Sequence, residues 1–154
     1  MTNKFDQSQK IPQHVQFLGY AGLLPFASSS LGLIFFQSIQ MNWLEIGLSY
    51  GAIILSFLGG LHWAFAMILP ELNTQQKGLR FTWSVIPSLL AWSSFALPPL
   101  YATIVLLIGF LSHLGQDVYV KKLAQMPAWY LTLRMQLTTV ACLCLIINYL
   151  LAHQ

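Results

Sequence analysis

Charge is what this chain has least of: among its 154 residues only seven are Lys or Arg and four Asp or Glu, against 56% hydrophobic. A soluble globular domain carries about a quarter charged residues, so this composition excludes a water-covered surface and indicates an integral membrane protein. The net charge of +3 does not make a nucleic-acid binder, because the basic residues sit between apolar runs, where membrane orientation accounts for them. Cysteine is also scarce. The only two, Cys142 and Cys144, fall about 200° apart on a helix and cannot bridge each other, which removes any redox message. Neither HExxH nor HxxxH occurs, so no metal is assigned. No serine is taken as a hydrolytic nucleophile.

What the chain does have is long apolar runs. Five are long enough, or nearly so, to cross a hydrocarbon core of about 30 Å, near 16–36, 46–69, 81–97, 99–116 and 133–151. The expected fold is therefore all-α, a polytopic transmembrane bundle of five spans. Residues 1–15 form a polar amino-terminal segment and 16–154 a single transmembrane domain. The first run is too long and lacks a small-residue cleavage site, so it reads as an uncleaved anchor. Between the third and fourth runs the pair Pro98-Pro99 stops one helix and starts the next, giving a hairpin with almost no loop. The connections leave no room for a soluble domain. An odd number of spans is also unlike the two inverted halves of many transporters.

Lys and Arg are retained on the cytoplasmic side of a membrane. Lys4 and Lys10 precede the first span, Lys77 and Arg80 precede the third, and Lys121, Lys122 and Arg134 lie before or at the start of the fifth, while the other connections have none. That alternation places the amino terminus inside and the carboxyl terminus outside, in an inner (cytoplasmic) membrane. Trp83, Trp129 and Tyr130 then serve as anchors at the inner surface, and Trp43, Tyr101 and Tyr149 at the outer. Glu71, Lys77 and Arg80 read as a solvated inner loop.

The segment Tyr50–Ala66, YGAIILSFLGGLHWAFA, is patterned on both sides. On a helical wheel Tyr50, Ile54, Phe57, Leu61, Phe65 and Ile68 make a bulky lipid-facing stripe. Opposite them Ala52, Ser56, Gly59 and Gly60 are small enough for close helix packing, with Trp63 beside them and His62 on the flank. On the fourth span Gly109, His113 and Asp117 recur at intervals of four and share a face that ends at the membrane boundary. Arg134 opens the fifth span at the same level. A structural Asp117–Arg134 pair is the plain reading, because an unpaired charge at that depth is costly; an anionic headgroup or ligand on Arg134 is the sharper one. Pro25 with Ser28 and Ser29, and Pro87 with Ser84 and Ser88, read as kinks whose freed carbonyls are met by hydroxyls.

The motifs GYAGLLPF, FLGGLHWAFA and PAWYLTLRMQLT, the last preceded by Asp117, resemble the domain-of-unknown-function family 3429 over nearly the whole chain. Gly59, Gly60, His62, Trp63, Asp117, Trp129 and Arg134 carry its pattern. The resemblance implies a membrane fold and admits His or Arg at the position of His62, which makes a polar group there matter more than imidazole chemistry. The function expected is a non-enzymatic binding or assembly role, in which a lipid, a quinone or a partner membrane subunit is held at a polar pocket on the cytoplasmic side. His62, Trp63, His113, Asp117, Trp129 and Arg134 form that pocket, and no cofactor is specified. The alternative is a small membrane enzyme on a lipid-soluble substrate, with His62 or His113 as acid and base and Arg134 as anion clamp. A transporter is the third reading.

Overall fold

The structure, a computed structural model, describes residues 10–154 and is all-helical among them. Most of the expected polar segment 1–15 lies outside the described residues. The helices are α1 Gln13–Ala21, α2 Leu24–Phe35, α3 Gln40–Ile68, α4 Thr74–Ser94, α5 Pro99–Leu123 and α6 Ala128–Leu151, with a single 3-10 turn at Gln37–Ile39. α1 and α2 are one rod broken at Gly22, since Pro25 in the first turn of α2 cannot continue the ladder from α1. The carbonyl freed at Gly22 accepts the Tyr50 hydroxyl at 2.8 Å, so the hydroxyl that meets it comes from α3 and not from a neighbouring serine.

Several helix ends differ from the apolar runs. α4 begins seven residues before 81, because Asn73 and Gln76 form a reciprocal capping box, each side chain accepting from the other's backbone N–H at 2.9 Å. Lys77 and Arg80 are therefore helical, not part of a solvated loop. Arg80 is buried, donates to Gln116 Oε1 at 2.6 Å and lies 5.2 Å from the centre of the Tyr119 ring. α5 starts at Pro99 as expected but runs on to Leu123, and α6 starts at Ala128, after Pro127. Asp117 is thus inside α5 and not at its end, while Arg134 stands in the second turn of α6 and not at its opening.

Four helical rods, Gln13–Phe35, Gln40–Ile68, Pro99–Leu123 and Ala128–Leu151, have both the length and the apolarity to cross a membrane. α4 has the length, 21 residues, but its first turns carry Gln75, Gln76, Lys77 and Arg80. The third run is accordingly a helix that leans on its neighbours. With α4 counted between them, α3 and α5 run in the same direction and each is antiparallel to α4; α3 packs against α2, α4, α5 and α6.

On α3 the buried face is Gly47, Gly51, Leu55, Leu58, Gly59, His62 and Ala66. His62 is in the middle of that packing face rather than on its flank. The glycine pair divides its work: a Cβ on Gly59 would stand 2.5 Å from the Ser84 carbonyl of α4, whereas one on Gly60 would meet nothing within 4 Å. Gly60 therefore faces outward, unlike the packing role expected for it, while Ala52 is in the core. Ser56 meets Ser88 at 3.0 Å and Trp63 stacks edge-on against Phe81, which fixes the antiparallel register of α3 and α4. Of the expected lipid stripe, Phe57 and Ile68 are exposed, but Tyr50 turns inward against Phe26.

Gly109 of α5 lies against the Leu55 side chain, leaving no room for a Cβ. That close approach, between two helices running in the same direction, puts His62 beside Asp117 two turns further on. At the opposite end the bundle is less apolar than the sequence suggests. Asn148 donates to Ser29 Oγ at 2.8 Å and accepts from Ser30, beside Gly47.

Candidate functional site

Asp117 is fully buried and is the centre of the polar cluster. Its Oδ2 accepts Arg134 Nε–H at 2.8 Å, and its Oδ1 accepts the Tyr130 hydroxyl at 3.1 Å and His62 Nε2–H at 3.2 Å. Helical spacing explains the set: Tyr130 and Arg134 are four apart on α6, so both reach the same carboxylate. His113, one turn before Asp117, has its Nε2 3.9 Å from Oδ1, too far for a hydrogen bond. Its ring stands edge-on to His62 with centroids 4.8 Å apart. Three helices therefore converge on one carboxylate, and the expected neighbours His62, His113, Asp117 and Arg134 are all in contact.

The two tryptophans stand aside. Trp63 is half exposed on the α4 side, and Trp129 lies edge-on to the Tyr130 ring, 6.3 Å between centroids. Tyr130, expected as an interfacial anchor, is instead a donor to the carboxylate. The signal for it was the recurrence Tyr130, Arg134, Thr138 at intervals of four, the same spacing that marks Gly109, His113 and Asp117.

One turn beyond Arg134 the polar cluster borders an apolar cavity of about 160 Å³. Leu18, Gly19, Gly22, Leu23 and Phe26 line one side; Ile54, Phe57, Leu58 and Phe110 line another; Arg134, Leu137, Thr138 and Ala141 of α6 close it. Leu18 and Phe57 are 69% and 67% exposed, so the cavity has a mouth on the outer face of the bundle, between α1 and α3. Arg134 Nη2 and Thr138 Oγ1 are buried without a hydrogen-bond partner. Leaving such groups unmet costs on the order of 1–3 kcal/mol each. Neither histidine is among the residues that line this cavity.

His62, His113 and Asp117 offer donor atoms all within 4.8 Å of one another, a spacing a metal ion can use. The donor set suits one poorly. Arg134 already occupies Oδ2, and a dication beside that guanidinium would share a single carboxylate in a buried site. The segment Gly47–Gly51, GLSYG, spells the GxSxG pattern of a hydrolytic nucleophile. It lies inside the unbroken helix α3, whereas a nucleophile elbow needs a strand-to-helix turn, so Ser49 is not such a nucleophile.

With three helices gathered on Asp117, the pattern residues His62, Asp117 and Arg134 belong to one structural unit. The family model described as "Protein of unknown function (DUF3429)" matches residues 11–150. The chain belongs to this family. The DUF3429 match takes in every helix, ending one residue short of the end of α6. Transmembrane protein 69 of Xenopus tropicalis is 35% identical over 134 residues, 84% of this chain and 51% of that protein. Its Mus musculus namesake is 27% identical over 145 residues, 92% of this chain and 58% of that protein. The chain thus spans between half and three fifths of the length of these relatives. No solved structure matches it. The names of the relatives and the four apolar rods together make this DUF3429 chain a multi-pass membrane protein.

Proposed function

We propose that the bundle is a non-enzymatic binding protein that holds a lipid-soluble small molecule, a lipid or a quinone, in the cavity beside Arg134. The observation that carries this is the pairing of an apolar cavity with two buried donors, Arg134 Nη2 and Thr138 Oγ1, that have no partner within the protein. Native structures satisfy most buried polar groups, and of the eight side-chain atoms without a partner among the described residues these two belong to residues that line a cavity, which favours an acceptor brought from outside. Asp117, itself held by Tyr130 and His62, fixes the guanidinium through its Nε. The mouth beside Leu18 and Phe57 suits entry from the bilayer.

The alternation of Lys and Arg supports an inner-membrane protein with its amino terminus inside, which puts the cavity in the cytoplasmic half. Acid–base chemistry by His62 or His113 draws no support from the cavity, because neither imidazole reaches its wall. Extraction of the chain into native membrane discs, followed by mass spectrometry, tests the binding reading. A co-purifying small molecule is expected. Discs holding neither a small molecule nor a partner protein would leave Asp117 and Arg134 a purely structural pair.

A further inference from the structure

We infer that the bound molecule presents an uncharged carbonyl on a six-membered ring, the chemistry of a quinone, and not an anionic head; this rests on the binding reading above. Charge decides it first. Arg134 is already neutralised by Asp117 through the 2.8 Å Nε–Oδ2 contact, and every ion pair among the described residues converges on that same carboxylate. An anion on Nη2 would add a second negative charge to a buried region whose one guanidinium is taken. Burying a net charge costs far more than burying a hydrogen-bonded neutral group. A carbonyl oxygen adds no charge, and its two lone pairs can accept both from Arg134 Nη2–H and from the Thr138 hydroxyl.

Size points the same way. An apolar cavity of about 150 Å³ takes up benzene, and the one here is about 160 Å³. It matches one ring and leaves a chain to trail past Leu18 and Phe57 into the bilayer.

The test uses the full chain in phosphatidylcholine discs, titrated with three probes of matched chain length and read by native mass spectrometry: a decyl benzoquinone, decanoate and monodecanoylglycerol. The quinone is expected to bind at least tenfold more tightly than either of the others. Decanoate or the glyceride binding as well as the quinone would overturn the uncharged ring and leave the binding reading standing. No binding of any probe, with discs from native membranes also empty, would overturn both.

Two variants check the geometry. Thr138→Val keeps the shape but removes one donor, and is expected to weaken the quinone roughly three- to tenfold; an unchanged affinity would overturn the placement of the carbonyl. Gly19→Leu adds bulk where a Cβ meets only the ends of flexible side chains, Leu137 at 3.3 Å and Leu133 at 3.6 Å, and is expected to abolish quinone binding while the thermal midpoint stays near that of wild type. A Gly19→Leu protein that melts like wild type and still binds the quinone would overturn the cavity as the site.

Discussion

At the scale of single residues, Asp117 has the most to lose. Its carboxylate receives Arg134, Tyr130 and His62 in a site it shares with no other acid among the described residues. Asp117→Asn keeps the size and removes the charge, stranding a buried guanidinium; breaking a buried pair on one side costs about 3–5 kcal/mol. The expected outcome is a large drop in thermal midpoint in detergent. Tyr130→Phe, which removes one neutral donor and keeps the ring against Phe65, should cost only about 1 kcal/mol. Equal melting of Asp117→Asn and wild type would mean that the cluster does not hold the three helices together. A pairing of Asp117 with Arg134 was the plain reading of the sequence, beside a ligand on Arg134, because Asp117 is the one acid near that depth. Tyr130 and Thr138 were not legible there, because an aromatic near a predicted membrane boundary and a threonine in an apolar helix each have a commoner explanation.

Elements bring these residues together through backbone approach, and here the two glycines of α3 make opposite predictions. Gly59→Ala forces a methyl to within 2.5 Å of the Ser84 carbonyl, so α4 must move; overpacking of this kind costs about 1–3 kcal/mol. Gly60→Ala meets open space and improves helix propensity, so its stability should equal or exceed that of wild type by up to about 1 kcal/mol. Differential melting of the two variants checks the pair, and the reverse order would mean that the register of α3 against α4 is wrong. The GG pattern announced a close helix contact, but a wheel drawn without neighbours could not say which glycine makes it. The same limit explains His62, whose place at the centre of the packing face depends on Leu55 fitting over Gly109. Helix ends were read less well than helix middles, because the Asn73–Gln76 capping box and the polar last turns of α5 carry no hydrophobic signal.

For the whole molecule, α4 decides what kind of bundle this is. Its polar first turns make it a poor span alone, yet it is a continuous helix of 21 residues, packed along α3 and joined to α5 through Arg80. Arg80 has no carboxylate partner among the described residues; Gln116 and the Tyr119 ring meet it instead. Polar residues at membrane depth are tolerated where they face protein rather than lipid. If α4 crosses as a fifth span, supported by α3 and α5, the two connections that flank it must lie on opposite faces of the membrane. Single cysteines placed at Glu71 and at Ala96, in a chain with Cys142→Ala and Cys144→Ala, make this measurable with a membrane-impermeant maleimide on intact and permeabilised vesicles. The expected outcome is that only one of the two is labelled before permeabilisation. Labelling of both from the same face would make α4 a helix that does not cross. Arg80→Leu should leave the labelling pattern intact, because it makes α4 more apolar. Gln116→Leu, which strands the Arg80 guanidinium, should instead lower the thermal midpoint, since the cation loses its partner at depth.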